Sequence, residues 1–135
     1  MLKRIYIDNF KCFVNFELHL DQLNLFLGTN GSGKTALLHL LHKLQSFIVT
    51  GKKVAELFKG TELTRWVSDS SESLLEQHFE LDILGNGGLY RYQLQIEHQF
   101  NPQFYLHQAR VKQEHLSFNE QPLFKAGLEP EKNSH

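Results

Sequence analysis

The eight residues from Gly28 to Thr35, GTNGSGKT, fill every fixed position of the phosphate-cradling pattern G-x-x-x-x-G-K-[ST]. Few short strings constrain a fold as much, because the loop works only where it leaves a buried strand and enters the first turn of a helix. Both flanks comply. Leu23, Leu25, Phe26 and Leu27 form a nearly continuous apolar run suited to a central strand covered on both faces. After the loop, Leu37, Leu41, Leu44 and Ile48, joined by Leu38, Leu40 and Phe47, predict a helical apolar stripe, with His39, His42, Lys43 and Ser46 on the wet side.

The chemistry follows from position. Gly28, Gly31 and Gly33 reach backbone angles closed to other residues, so the N–H groups from Gly28 through Thr29, Asn30, Gly31, Ser32 and Gly33 can turn inward around phosphate oxygens. The helix N-terminus adds positive potential. Lys34 supplies a mobile cation for the β- and γ-phosphates, and Thr35 offers a hydroxyl to Mg²⁺, a metal that keeps several waters. The expected cofactors are ATP and Mg²⁺.

A chain of 135 residues is enough for one domain with a real core and too short for two ordinary ones. The net charge of -1 gives no global basic field, so the overall balance points to neither nucleic acid nor a membrane surface. The lone cysteine, Cys12, excludes an internal disulfide and fits a reducing compartment. No apolar run approaches the roughly 20 residues that span a bilayer, and no signal peptide is evident, so the expected location is cytoplasmic.

In chain order, Leu2 to Ile7 reads as a partly exposed strand with Ile5 and Ile7 on one side and Arg4 and Tyr6 on the other. Asp8-Asn9 opens a turn, and Phe16, Leu18 and Leu20 mark a second strand. The helix after the loop should close at Thr50-Gly51, and a short helix should follow from Lys53 to Phe58, stopped by Gly60. Thr61 to Glu76 is irregular; Trp66 reads as a packing anchor and Ser68 to Ser73 as a mobile polar loop. From His78 the period becomes two, around a strong hairpin turn at Gly85-Asn86-Gly87-Gly88. Phe104 to Phe118 predicts one bulged strand, because Ala109 and Val111 are out of phase with Leu116 and Phe118. A turn over Asn119 to Pro122 precedes Leu123-Phe124.

The strings IDNFKCFVNFELHL and LNLFLGTNGSGKTALLHLLHKL resemble the N-terminal lobe of ABC-type ATPases of the SMC, RecF-like and OLD-like group, in which strand, "NF[KR]" turn, second strand and P-loop follow in this order. LYRYQLQIE and VKQEHLSFNEQPLF are similar to the antiparallel hairpins of the prokaryotic AAA-type, OLD-like branch. The resemblance implies an α/β fold: a P-loop NTPase N-terminal lobe over residues 1–126, with a central strand, P-loop and helix flanked by antiparallel β-hairpins. Residues 127–135 then form a frayed polar tail. It also implies that Lys11 and Cys12 sit beside the bound nucleotide; a solvated turn lysine is the competing reading for Lys11.

Complete relatives carry a Walker B strand ending in Asp-Glu, an LSGG-like signature and a switch histidine. No LSGG-like string occurs here, and the acids of FELDIL, Glu80 and Asp82, alternate with apolar residues and so fall on the wet face of an antiparallel strand. Glu114 matches a recurrent family position without an assigned role. The resemblance therefore implies half of an ATP site. A second chain or a missing C-terminal half, with a homodimer as one arrangement, would complete it for hydrolysis. Whether such a lobe is a shortened chain, a split-gene product or a remnant stays open, and DNA enters only as a partner of the assembly.

Other constellations are weaker. His39 and His42 lack a third metal ligand at usable spacing, and a solvated helix face is the simpler reading. Tyr90, Tyr92, Phe100, Phe104 and Tyr105 are interleaved mainly with Gln, which favours strand packing over base stacking. A non-hydrolysing interaction module with a vestigial P-loop is the alternative function. A small P-loop kinase or GTPase ranks third: the kinase folds continue as alternating strand and helix, and the guanine-specifying NKxD-like string of a GTPase does not occur.

Overall fold

The computed structural model describes residues 1–22, 31–64, 73–101 and 106–127. Its elements are β1 (Leu2–Asp8), β2 (Phe16–His19), a 3-10 turn (Leu20–Gln22), α1 (Gly31–Thr50), α2 (Val54–Leu57), a second 3-10 turn (Gly60–Glu62), β3 (Ser73–Gly85), β4 (Gly88–Asn101), β5 (Leu106–Phe118) and β6 (Gln121–Gly127). The strands form one six-stranded sheet in the order β2-β1-β3-β4-β5-β6, antiparallel at every step. The expected central strand at Leu23 to Leu27, Trp66 and most of the expected polar loop lie outside the described residues. Ser73, placed in that loop by the sequence, instead opens β3, which starts well before His78.

Alternation explains the sheet. Ile5 and Ile7 of β1 pair with Leu81 and Phe79 of β3, which in turn pair with Tyr92 and Leu94 of β4, so these residues share one face. That face and α1 bury one another: Leu37, Leu40 and Leu44 join Ile5, Ile7, Phe79 and Leu94 in a single core. Phe10, Phe58 and Phe79 meet edge-on or tilted, with ring centroids 5.4 to 6.4 Å apart.

The β3–β4 hairpin closes on Asn86 and Gly87, at φ of 54° and 79°, the left-handed pair that a two-residue type I′ turn demands. The β5 irregularity falls opposite Gln95 and Ile96, which pair with Gln113 and Val111, so Lys112 is the extra residue. This is the bulge that the phase change between Val111 and Leu116 predicts. β6 lies at the sheet edge and is exposed along its whole length.

Two expectations need correction. α1 is turned from the expected stripe: Ala36, Leu37, Leu40 and Leu44 are buried, whereas Leu38 and Ile48 are 56% and 49% exposed. Lys43, expected in water, is buried, because its ammonium donates to the Leu57 carbonyl of α2 and meets Glu62 Oε2 at 3.2 Å. The second concerns the face of the sheet away from α1. Asp82 is not solvated there but 6% exposed, gripped by Arg4 Nε at 2.8 Å and by Arg91 Nε at 2.8 Å; Arg4 also reaches Glu80 at 2.6 Å and Glu17 at 2.9 Å.

Candidate nucleotide site

The first turn of α1 carries the second half of the glycine-rich loop. Gly33 is buried, and Lys34 and Thr35 are exposed at the helix start, where the leading N–H groups lack intrahelical acceptors. Gly28, Thr29 and Asn30 lie outside the described residues, and Gly31 and Ser32 are described in backbone only.

The turn after β1 is built rigidly. Asn9 and Lys11 take left-handed φ of 67° and 52°. Asn9 N–H and Phe10 N–H both donate to the Phe13 carbonyl, at 2.9 and 3.1 Å. Lys11 N–H donates to the Glu62 carbonyl at 2.6 Å, and the Lys11 carbonyl accepts from the Thr64 hydroxyl. This clamp aims the Lys11 side chain at α1, where Nζ stands 2.6 Å from His39 Nδ1 and 5.8 Å from the centroid of the Phe10 ring. Lys11 is therefore not a lysine pointing into bulk water. Phe10 and Phe13 are buried packing residues, as their apolar character suggests, and Cys12 is exposed.

His39 sits one helical turn beyond Thr35, on the same side of α1. Burial, followed by the charges of Lys11 and Lys43, holds its imidazole below the ordinary histidine range. A neutral ring that accepts at Nδ1 carries its proton on Nε2. The sequence reading missed this pair; the i, i+4 spacing of Thr35 and His39 was visible, but nothing local reveals that Lys11 folds over it.

A second buried polar path reaches the same turn from the far end of β4. His107 Nε2 and His98 Nδ1 are 2.9 Å apart, His98 Nε2 stands 2.6 Å from Gln77 Oε1, and Gln77 Nε2 donates to the Asn9 carbonyl at 2.9 Å. One assignment satisfies all three: His107 donates to His98, and His98 donates to Gln77. Burial, with His107 adding to it, lowers the His98 pKa to about 4, so the path is uncharged near neutrality.

The acids singled out in sequence serve other ends. Glu80 and Asp82 lie on the face away from α1; burial pushes both up, but hydrogen bonds from Arg4, with Gln93 and Arg91 respectively, more than reverse this and leave both below the usual carboxylate range. Glu114 accepts the Tyr92 hydroxyl at 2.6 Å, and that contact, after burial, raises the phenol well above its ordinary value. Tyr90 packs on Phe118 at 4.7 Å, in keeping with strand packing. Among the described residues no group of three or more His, Cys, Asp or Glu side chains is placed to hold a metal ion. An open pocket of about 480 Å³, lined by residues including Leu63, Phe100 and His107, takes none of its described lining from α1.

A strand, a clamped turn, a second strand and a glycine-rich helix start belong to one mixed α/β unit built on a six-stranded antiparallel sheet, and the comparisons with known proteins place that unit among ATPase domains. A family model described as "AAA ATPase domain" matches residues 1–126, so the chain belongs to that family, whose membership implies nucleotide binding. Structural maintenance of chromosomes protein 6 of Saccharomyces cerevisiae is 38% identical over 63 residues, which cover 46% of this chain and 5% of that protein. OLD nuclease of Thermus scotoductus is 42% identical over 41 residues, covering 30% of this chain and 8% of that protein. The chain thus spans a small part of the curated relatives it matches. No solved structure matches it. Among the described residues no helix is long and apolar enough to cross a membrane.

Proposed function

We propose that residues 1–126 bind Mg²⁺·ATP through Gly28 to Thr35 and act as the N-terminal lobe of a composite ATPase in the cytoplasm. The observation that carries this reading is the exposed Lys34–Thr35 pair on the first turn of a twenty-residue helix, in a chain that belongs to the AAA ATPase domain family. Backbone N–H groups of the loop cradle the phosphates, and Lys34 meets the β- and γ-phosphates. Thr35, an exposed residue near the start of that helix, would serve as one protein ligand to Mg²⁺ through its hydroxyl, the metal drawing its other ligands from water and phosphate. Lys11 and Cys12 flank the nucleotide from the β1 turn.

Phosphoryl transfer needs a positioned water and neutralised charge. With Asp82 committed to Arg4 and Arg91, the Walker B acid and the signature come from a second polypeptide or a second lobe. The exposed apolar side of α1, Leu38, Ile48 and Val49, supports a docking face for that completing part. Titration calorimetry with Mg²⁺·ATP should detect binding by the parent chain and none by Lys34→Ala. Absence of binding in the parent would overturn the reading, and robust turnover by the isolated chain would overturn its composite character.

A further inference from the structure

We infer that His39 is a positioning residue for nucleotide binding: its Nδ1 holds the Lys11 ammonium beside the first turns of α1, so that a fixed cation faces the phosphate or ribose oxygens of the bound nucleotide. The inference rests on the reading of Gly28 to Thr35 as the nucleotide site and assigns that site a residue that neither the motif nor the family match specifies.

Three observations carry it. The backbone of Lys11 cannot drift, since its N–H and carbonyl are tied to Glu62 and Thr64 and the turn is cross-bonded from Asn9 to Phe13. What remains free is a four-carbon side chain, whose rotamer freedom is costly to freeze on ligand binding. His39 Nδ1, 2.6 Å from Nζ, freezes it in advance.

The partner is a neutral imidazole, so it orients the lysine without cancelling its charge. An ammonium has three N–H groups. One is spent on His39, and two remain for an anion. A carboxylate at the same place would orient equally well but remove much of the attraction for a triphosphate.

The surroundings of His39 keep it in this role. Lys11 and Lys43 both face it and disfavour a second positive charge, His42 acts in the same direction, and Glu62, which opposes them, is itself engaged by Lys43 at 3.2 Å. The Phe10 ring lies edge-on to the imidazole with centroids 6.4 Å apart and walls one side. His39 also projects from the same side of α1 as Thr35, one turn away, which brings the held cation to the expected metal and phosphate end of the helix.

The test is a double-mutant cycle read by Mg²⁺·ATP titration of the full chain, with thermal unfolding of each variant alongside. Lys11→Met should weaken binding about tenfold, the loss expected for one charge-assisted hydrogen bond. His39→Leu should weaken it about five-fold, whereas His39→Asn, which keeps an acceptor at the δ position, should stay within about two-fold. In the Lys11→Met background His39→Leu should cost almost nothing more. A nucleotide-independent readout is the ¹⁵N resonance of His39 Nδ1, expected at an unprotonated acceptor position and shifted by Lys11→Met. Equal losses in His39→Leu and His39→Asn, or an undiminished loss for His39→Leu when Lys11 is already Met, would overturn the inference. If the parent binds and Lys34→Ala does not, such a result sinks this inference alone. If the parent binds no nucleotide, the site reading falls and the inference falls with it.

Discussion

The two faces of the sheet grow from the same alternating strands and are held by different physics. Toward α1, Ile7, Phe79, Leu94 and Ile96 are completely buried, and stability there comes from removing apolar area from water. On the opposite face Arg4 gathers Glu17, Glu80 and Asp82, and Arg91 takes the remaining side of Asp82. No helix is described over that face, yet the Arg4 side chain is only 11% exposed. The charged residues cover one another. An alternating strand therefore says which residues share a face, and not whether the polar face is wet.

The sharpest way to break the contrast is to cut the apolar face at its centre. Phe79 touches Phe10 and Phe58 and is inaccessible to solvent. Phe79→Ala should lower the unfolding free energy by about 3–5 kcal/mol, the range for deleting a core aromatic, with little dependence on pH. Denaturant titration at two pH values checks both statements.

On the other face Arg4→Met should cost less, about 1.5–3 kcal/mol, the range for hydrogen bonds to charged groups, because Arg91 continues to hold Asp82. Here pH must matter. Glu80 and Asp82 sit below their ordinary values of 4.5 and 3.8, since hydrogen bonds from Arg4 and its neighbours outweigh the opposing effect of burial. Groups depressed in the fold contribute stability above their unfolded pKa and lose it as pH falls through the folded one. The deficit of Arg4→Met should therefore be largest near neutrality and shrink below about pH 4, where the stranded carboxyls protonate. A pH-independent deficit would mean that the arginine acts through packing of its stem.

How much of this was readable in the chain depends on the range of the interaction involved. The Asn86-Gly87 turn, the β1–β2 pair, the stop at Gly51 and the β5 bulge are encoded within a few residues, and all are present. Lys43 departs from its expected place in water because the groups that cover it, Leu57 and Glu62, come from elsewhere in the chain, as does the Lys11 ammonium that meets His39. The orientation of α1 was misread for a related reason. Its sequence carries two apolar stripes, one through Leu37, Leu40 and Leu44 and another through Leu38 and Ile48. A helical wheel cannot rank two stripes of similar apolar character. Of the candidate site, the proposed phosphate chemistry rests on the eight residues of the motif, whereas the Lys11–His39 contact joins residues 28 apart in the chain and no local pattern reveals it.

β6 supplies the control for both faces. Its residues are exposed throughout, Leu123 by 58%, so neither apolar burial nor charge coverage acts on it. Leu123→Ala should change the unfolding free energy by no more than about 0.5 kcal/mol, the ordinary range for surface substitutions. A larger loss would show that this edge is covered in solution, most simply by strand pairing between copies, since an edge presents unpaired N–H and C=O groups. In that case the loss would grow with protein concentration, as mass action requires when the native state is an associated one. A concentration series on the parent and on Leu123→Ala therefore separates an edge that stands alone from one that has a partner. It also tests the rule drawn from the other two faces, that coverage rather than polarity determines what a residue contributes.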